Sequence, residues 1–268
     1  MNTLAVFRRE WTGRRNVFLL ALGMGFIQLV GIKFSSDVGN ATDKAMVMIG
    51  GASTLLAWVV AALFGATMVG RDLEERRFIF LLNQPLRLGE IFAGKVAAGL
   101  GMAMFSALVM CLPLVLLGGM WRQFSLKDLG QVVGVWLVGS VVCVLFFHAL
   151  SIQVRSRSLW LALDLVAWAA FFYGVRALSL RLIAAGAFPE MVHLWNVLMT
   201  VVTLGLGVAG YLQVAEGRAD LQRGHRWVSM TMTISLGLAL LIGWGQTTWV
   251  LQHRPAAPQI QPGSARGR

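Results

Sequence analysis

The chain has 268 residues, 57% of them hydrophobic and 13% charged, with 23 Lys and Arg against 12 Asp and Glu and a formal net charge of +11. A soluble domain carries about a quarter charged residues, so this composition excludes an ordinary water-soluble globule and points to a polytopic membrane protein; the mean hydropathy of +0.70 agrees. The basic excess does not imply nucleic acid, because the Lys and Arg cluster in short segments between apolar runs, where they set topology and meet phospholipid headgroups.

Taken in chain order, Leu4, Phe7 and Trp11 recur at helical spacing, with Arg8, Arg9, Arg14 and Arg15 around them. This predicts an amphipathic N-terminal helix lying on the membrane surface, basic side toward anionic lipid. Arg14-Arg15-Asn16-Val17-Phe18 faintly resembles a twin-arginine export signal. The apolar run behind it is about 17 residues, longer than a signal h-region, and no small-x-small cleavage site follows, so an uncleaved first span is expected. Seven apolar runs then read as spans: 16–34, 45–70, 96–120, 130–153, 159–178, 194–215 and 227–250. Each is close to the roughly 20 residues that cross hydrocarbon as a helix. The expected fold is therefore all-α, a transmembrane helical bundle of six to seven spans.

Counting Lys and Arg on alternate connecting segments gives fourteen on one side and nine on the other. The richer side is expected in the cytoplasm, which places the N-terminus inside and, with seven spans, the C-terminus outside. Residues 179–193 are too short to cross a bilayer and end at Pro189-Glu190, with Leu180, Ile183 and Ala187 on one helical face. They read as an interfacial or re-entrant helix at the outer surface. The tail, 251–268, carries three of the six prolines beyond position 253 and no apolar periodicity, so disorder is expected there. The membrane domain is thus 1–250.

The long charge-rich connection, 71–95, holds nine of the charged side chains. Arg71 and Glu75, and Asp72 and Arg76, fall four apart and would lie adjacent on a helix. The apolar run Phe78 to Leu82 follows, then Asn83-Gln84-Pro85, where the proline disfavours helix at Gln84. A second helix is expected from Leu88-Gly89 into the third span. On these features alone the segment is either a solvated connection or a docking element.

The same segment carries a family resemblance. An acidic pair (Glu74, Glu75), a Leu-Leu, the run Pro85-Leu86-Arg87-Leu88, and Gly94-Lys95 opening the next span resemble the type-2 class of ATP-binding-cassette transporter permeases. In that family the connection between the second and third spans contains a short cytoplasmic coupling helix, seated in a groove of a separate ATPase subunit. The resemblance implies an ATPase interface at Glu74, Glu75, Arg76, Pro85 and Arg87. It also implies a second permease subunit, identical or not, and a bacterial-type inner membrane location. By layout it covers most of the chain, but by motif only about 25 residues. Two departures stand out. Family members often carry Gly-Thr after the acidic pair, where this chain has Arg76, Arg77 and Phe78; and the usual count is six spans.

Gly89 to Lys95 fits the first seven positions of a phosphate-binding loop, but Val96 replaces the hydroxyl that would hold Mg²⁺ and no buried strand precedes it. Any ATP hydrolysis is expected in the partner, so the chain itself is read as no enzyme, without catalytic residues, metal or cofactor. Asp164 is the only acid well inside a span, about six residues and roughly 9 Å from its cytoplasmic end. An intramembrane acid needs a named partner. The expectation is a pair with His148 on the preceding span, acting as a packing clamp or as a substrate or proton site. His193, His225 and His253 look scattered, and no Ser-His-Asp or Cys-His set stands out. Cys111 and Cys143 read as small buried hydrophobes. Gly130-x-x-x-Gly134, and Gly99 with Ala103, have spacings that permit close helix approach, and Trp227 and Trp249 bracket the last span as interfacial anchors.

The leading expectation is the permease subunit of an ATP-driven exporter, contacting membrane lipid and no nucleic acid. The alternatives are a non-transporting membrane anchor or assembly protein, and an intramembrane enzyme.

Overall fold

The computed structural model describes residues 3–12, 16–34, 41–69, 72–73, 83, 87–117, 126–217 and 220–253. Eight α-helices account for nearly all of them, and no strand occurs among the described residues. In chain order they are α1 (Thr3–Thr12), α2 (Asn16–Phe34), α3 (Ala41–Met68), α4 (Leu88–Leu117), α5 (Leu126–Ser156), α6 (Trp160–Ala184), α7 (Phe188–Leu212) and α8 (Leu221–His253). A π-helical turn, Gln213–Gly217, carries α7 toward α8. Six helices, α3 to α8, are long and apolar enough to cross a membrane, and α2 adds a shorter apolar stretch, Asn16–Val30. The fold is an all-α polytopic bundle, as the apolar runs predict. Helix is what hydrocarbon dictates, since each backbone N–H and C=O must find its partner within the segment.

Successive spans alternate in direction. The ends of α3, α5 and α7 and the starts of α4, α6 and α8 therefore gather at one end of the bundle, beside α1. Contacts across that end fix the arrangement: Gly89 on α4 faces Tyr211 on α7, and Gly217 lies against Gly224 on α8. The bundle has two halves. In the first, α4 packs on α1, α2 and α3, and α3 packs closely on α5; in the second, α8 packs on α6 and α7. Helix α5 joins them through α7 and α8. The outward side chains, such as Leu63, Val138, Leu165, Leu204 and Ile234, are large, apolar and exposed, the surface expected of a protein whose solvent there is lipid.

Helices associating in lipid rely on close packing, because burial from lipid gives little hydrophobic drive. Glycine permits two backbone approaches. A Cβ added at Gly65 on α3 would run into the Val144 carbonyl oxygen of α5, and one at Gly25 on α2 into the Met110 carbonyl oxygen of α4. The spacing expected to mark such contacts, Gly130 and Gly134, instead faces open space, whereas Gly99 receives the Phe64 ring. Spacing reveals where small residues recur, not which face of the helix meets a neighbour.

Three sequence expectations change in detail. The third span does not start at 96: α4 starts at Leu88, where the Arg87 N–H donates to Glu90 Oε2 at 3.0 Å. That is one arm of a capping box, with Glu90 three residues into the turn, and it agrees with the helix expected from Leu88-Gly89. The run 89–95 is thus helix and cannot fold as a phosphate loop.

Residues 179–193 form no separate interfacial helix. Their first part completes α6, a turn follows, and α7 begins at Phe188. Gly186 takes φ +67°, and Gly186 N–H and Ala187 N–H close back onto Ile183 O at 2.8 Å and Leu182 O at 2.7 Å. This is a left-handed helix stop that glycine tolerates. Pro189 then sits in the first turn of α7, where its missing N–H costs nothing, so it opens a helix rather than ending one. Leu180 and Ile183 are exposed while Ala187 is fully buried, so the three do not share a surface.

Helix α1 forms as expected, but its aromatic face meets protein. Phe7 stacks on Trp11 with centroids 5.3 Å apart, and Trp11 packs on Phe18 of α2 and Phe105 of α4 at 5.0 and 5.6 Å. On α8, Trp227 and Trp249 lie about 33 Å apart at the helical rise, close to the hydrocarbon thickness.

Candidate functional site

Two buried polar assemblies stand at the α1 end. The first centres on Lys95, which lies two turns into α4 and is 1% exposed. Its Nζ donates to Glu10 Oε1 of α1 at 2.7 Å and to Asp72 Oδ2 at 2.6 Å. Asp72 and Leu73 are helical, the Leu73 N–H donating to Val69 O at 2.9 Å. A buried ammonium costs several kcal/mol to desolvate, and two short charge-assisted hydrogen bonds offset that cost here. In mechanical terms Lys95 fastens three elements together: α1, the root of the 71–87 connection and the start of α4.

Sequence reading missed this assembly because it assigned Lys95 to the polar connection. A signal existed. Glu10 is the only acid before Asp37 and falls three residues after Phe7, on the face that α1 turns toward the bundle.

Of the residues the resemblance assigns to an ATPase interface, Arg87 is described. It is exposed at the mouth of α4, its backbone capped by Glu90. Glu74, Glu75, Arg76 and Pro85 lie outside the described residues.

The second assembly joins α5, α6 and α8. Asp164 is 1% exposed and accepts a hydrogen bond from Nε2 of His225, itself fully buried, at 2.6 Å. Nδ1 of His225 meets the hydroxyls of Ser156 and, at 2.8 Å, Ser158. Ser156 also donates to the Gln153 carbonyl at 3.0 Å, and the Trp160 N–H donates to Ser158 Oγ at 3.3 Å. Arg157, between the two serines, adopts φ +47°. That left-handed conformation costs a non-glycine residue on the order of 1–2 kcal/mol, and it lets serines on either side of it reach one imidazole nitrogen. Nearby, Asp220 Oδ1 caps α8 by accepting from Gln222 N–H at 2.9 Å and Arg223 N–H at 3.1 Å, and the Arg226 guanidinium lies 5.9 Å from the Trp160 ring centroid.

The expected pairing of Asp164 with His148 does not form. The reason is helix packing: α6 lies mainly against α8 and barely touches α5, its hairpin neighbour. His148 is fully buried but points elsewhere, toward Phe92 of α4, 6.1 Å between centroids, and Gly210 of α7. Asp164 does have the histidine partner its burial demands, but it is His225, 61 residues along the chain.

The assembly contains the residue types of a Ser-His-Asp triad, which sequence reading did not find. The arrangement nevertheless favours a clamp. Two hydroxyls share one nitrogen, the acid holds the other, and neither His225 nor Asp164 is reachable from outside. Among the described residues no three His, Cys, Asp or Glu side chains gather as a metal site would require, and Cys111 and Cys143 are free thiols on separate helices. No protein-family model matches the chain, and no curated protein or solved structure matches it either.

Proposed function

We propose that the chain is the membrane-spanning permease subunit of an ATP-driven exporter, working with a separate ATP-binding-cassette ATPase and a second permease subunit. The observation that carries the reading is the Lys95 anchor. The charge-rich 71–87 connection leaves α3 beside Asp72 and re-enters the bundle at α4, and Lys95 ties both of these points to α1 through Glu10. A displacement applied to that connection would therefore reach α1, α3 and α4 together. This is the property a lever needs, and a solvated linker does not need it. The type-2 permease resemblance of Glu74, Glu75, Pro85 and Arg87 names the ATPase as the source of the displacement.

In this mechanism ATP binding draws two ATPase subunits together, the 74–82 segment moves with the groove that holds it, and the first half of the bundle shifts against the second about α5. The permease contributes no reacting group. The positive-inside count supports a cytoplasmic α1 end, where ATP is available. An intramembrane enzyme would have to use the Ser156, Ser158, His225 and Asp164 set, and the burial of its His225 and Asp164 argues against it.

Reversing charge at both Glu74 and Glu75 with lysine is the test. The expected outcome is loss of the co-purifying ATPase, or retained ATPase without transport, with the permease present in the membrane at wild-type abundance. Wild-type ATPase retention together with wild-type transport would remove the assignment.

A further inference from the structure

Buried polar groups in proteins almost always have a hydrogen-bond partner, and those without one call for an explanation. Among the described residues, six such atoms lie in the second half of the bundle and on α5, toward the α1 end. They are both ring nitrogens of His148, both amide atoms of Gln213, Asp164 Oδ1 and Ser229 Oγ, on four side chains at most 1% exposed.

Their neighbours place them in a string. A Cβ at Gly224, next to His225, would lie 3.4 Å from Gln213 Nε2. One turn earlier on α7, a Cβ at Gly210 would lie 3.1 Å from His148 Cδ2. Ser229 follows His225 by one turn of α8, and a turn further Met232 accepts a hydrogen bond from Gln153 Nε2 at 3.1 Å. The string runs from the Asp164–His225 pair to His148, about 12 Å up α5 at the helical rise. It passes Gly210 and Gly224, whose missing Cβ atoms let Phe92, His148 and Gln213 approach closely, and Gln213 opens the π-helical turn Gln213–Gly217, a distortion that recurs at functional sites. Beyond His148 the interior turns apolar, with Leu178, Leu198, Val202, Leu236 and Ala239.

We infer that this string binds internal water, in a dead-ended polar shaft inside one subunit between α5, α6, α7 and α8. Left dry, six unsatisfied atoms in one place would carry a penalty comparable to the whole stability of a domain. Water satisfies such groups when two to four polar partners surround it, and donors and acceptors of both kinds are present here. The shaft starts at the Asp164–His225 pair and stops at His148, so it brings water to three ionisable side chains deep in the bundle without piercing it.

Radiolytic hydroxyl-radical labelling of the full chain in a lipid nanodisc tests this directly, because oxidation of a buried side chain requires a water beside it. Met232, Met102 and Met110 are each 1% exposed, and Met68 is fully buried at the same end of the bundle, so comparing them cancels intrinsic reactivity and depth. Met232 is expected to form sulfoxide several-fold faster than the other three, with oxygen also added to His148. In a Gln213→Leu, His148→Phe chain the Met232 rate is expected to fall to that of Met102. A wild-type Met232 rate equal to that of Met102 and Met110, or a fast rate unchanged in the double variant, would overturn the proposal. The wild-type comparison stands even where the variant does not fold.

Discussion

Lys95→Met is expected to lower the stability of the bundle by about 3–5 kcal/mol, the usual consequence of removing one member of a buried ion cluster. Methionine keeps the length and apolar stem of lysine, so the loss reports charge rather than packing. Asp72 loses its 2.6 Å donor, and a carboxylate only 16% exposed is left in a poorly solvated place. The change should be partly reversed by adding Asp72→Asn and Glu10→Gln, which remove the orphaned charge. Thermal unfolding in detergent, followed by loss of the soluble monodisperse fraction, gives both numbers. An unchanged midpoint for Lys95→Met would mean that the ion cluster contributes nothing, and the lever would lose its root. The triple variant also separates stability from coupling. With the charges gone the chain should fold, yet α1 and the connection are no longer fastened, so ATP-driven transport should fall while abundance recovers.

The second large effect is expected at the other assembly. Among the described residues His225 is the only partner of Asp164 Oδ2 and Oδ1 has none, so His225→Leu leaves the carboxyl group unpaired there. A buried carboxyl group without a protein partner inside a span costs about 3–5 kcal/mol by the same reasoning. Ser156 keeps its bond to Gln153 O, so the loss falls on Asp164 and Ser158. The double variant His225→Leu, Asp164→Leu should be more stable than either single variant, because both polar groups leave together. A cycle in which the two losses simply add would show that the pair is not coupled. His148→Leu, by contrast, should leave the Asp164–His225 pair intact, since His148 makes no hydrogen bond among the described residues.

The contrast between these two histidines shows what was legible in the sequence. The spans were readable because hydrocarbon permits only long, apolar, self-satisfied helices, and an amphipathic α1 and a helix starting at Leu88 followed from residue spacing alone. That Asp164 must have a partner was also legible, since an acid inside an apolar run cannot stand alone. Its identity was not. His148 is nearer along the chain, but helices meet according to crossing geometry, and α6 crosses α8. The same limit hid the Lys95 cluster, whose three members come from α1, the end of α3 and α4 and are 85 and 23 residues from Lys95. Pro189 was misread for a different reason. Proline stops a helix at its interior and favours one at its first turn, and the Gly186 turn three residues earlier decides between them.

The central claim is that the 71–87 connection grips an ATPase encoded separately. A photo-crosslinking amino acid placed at Arg87, exposed at the mouth of α4, and another at Leu81, tests it most directly when activated in intact membranes and followed by identification of the captured protein. The account predicts a single dominant adduct with a nucleotide-binding ATPase, formed from the cytoplasmic side and lost on reversal of Glu74 and Glu75. Adducts with lipid alone, or labelling of Arg87→Cys by a membrane-impermeant thiol reagent added outside the cell, would contradict it.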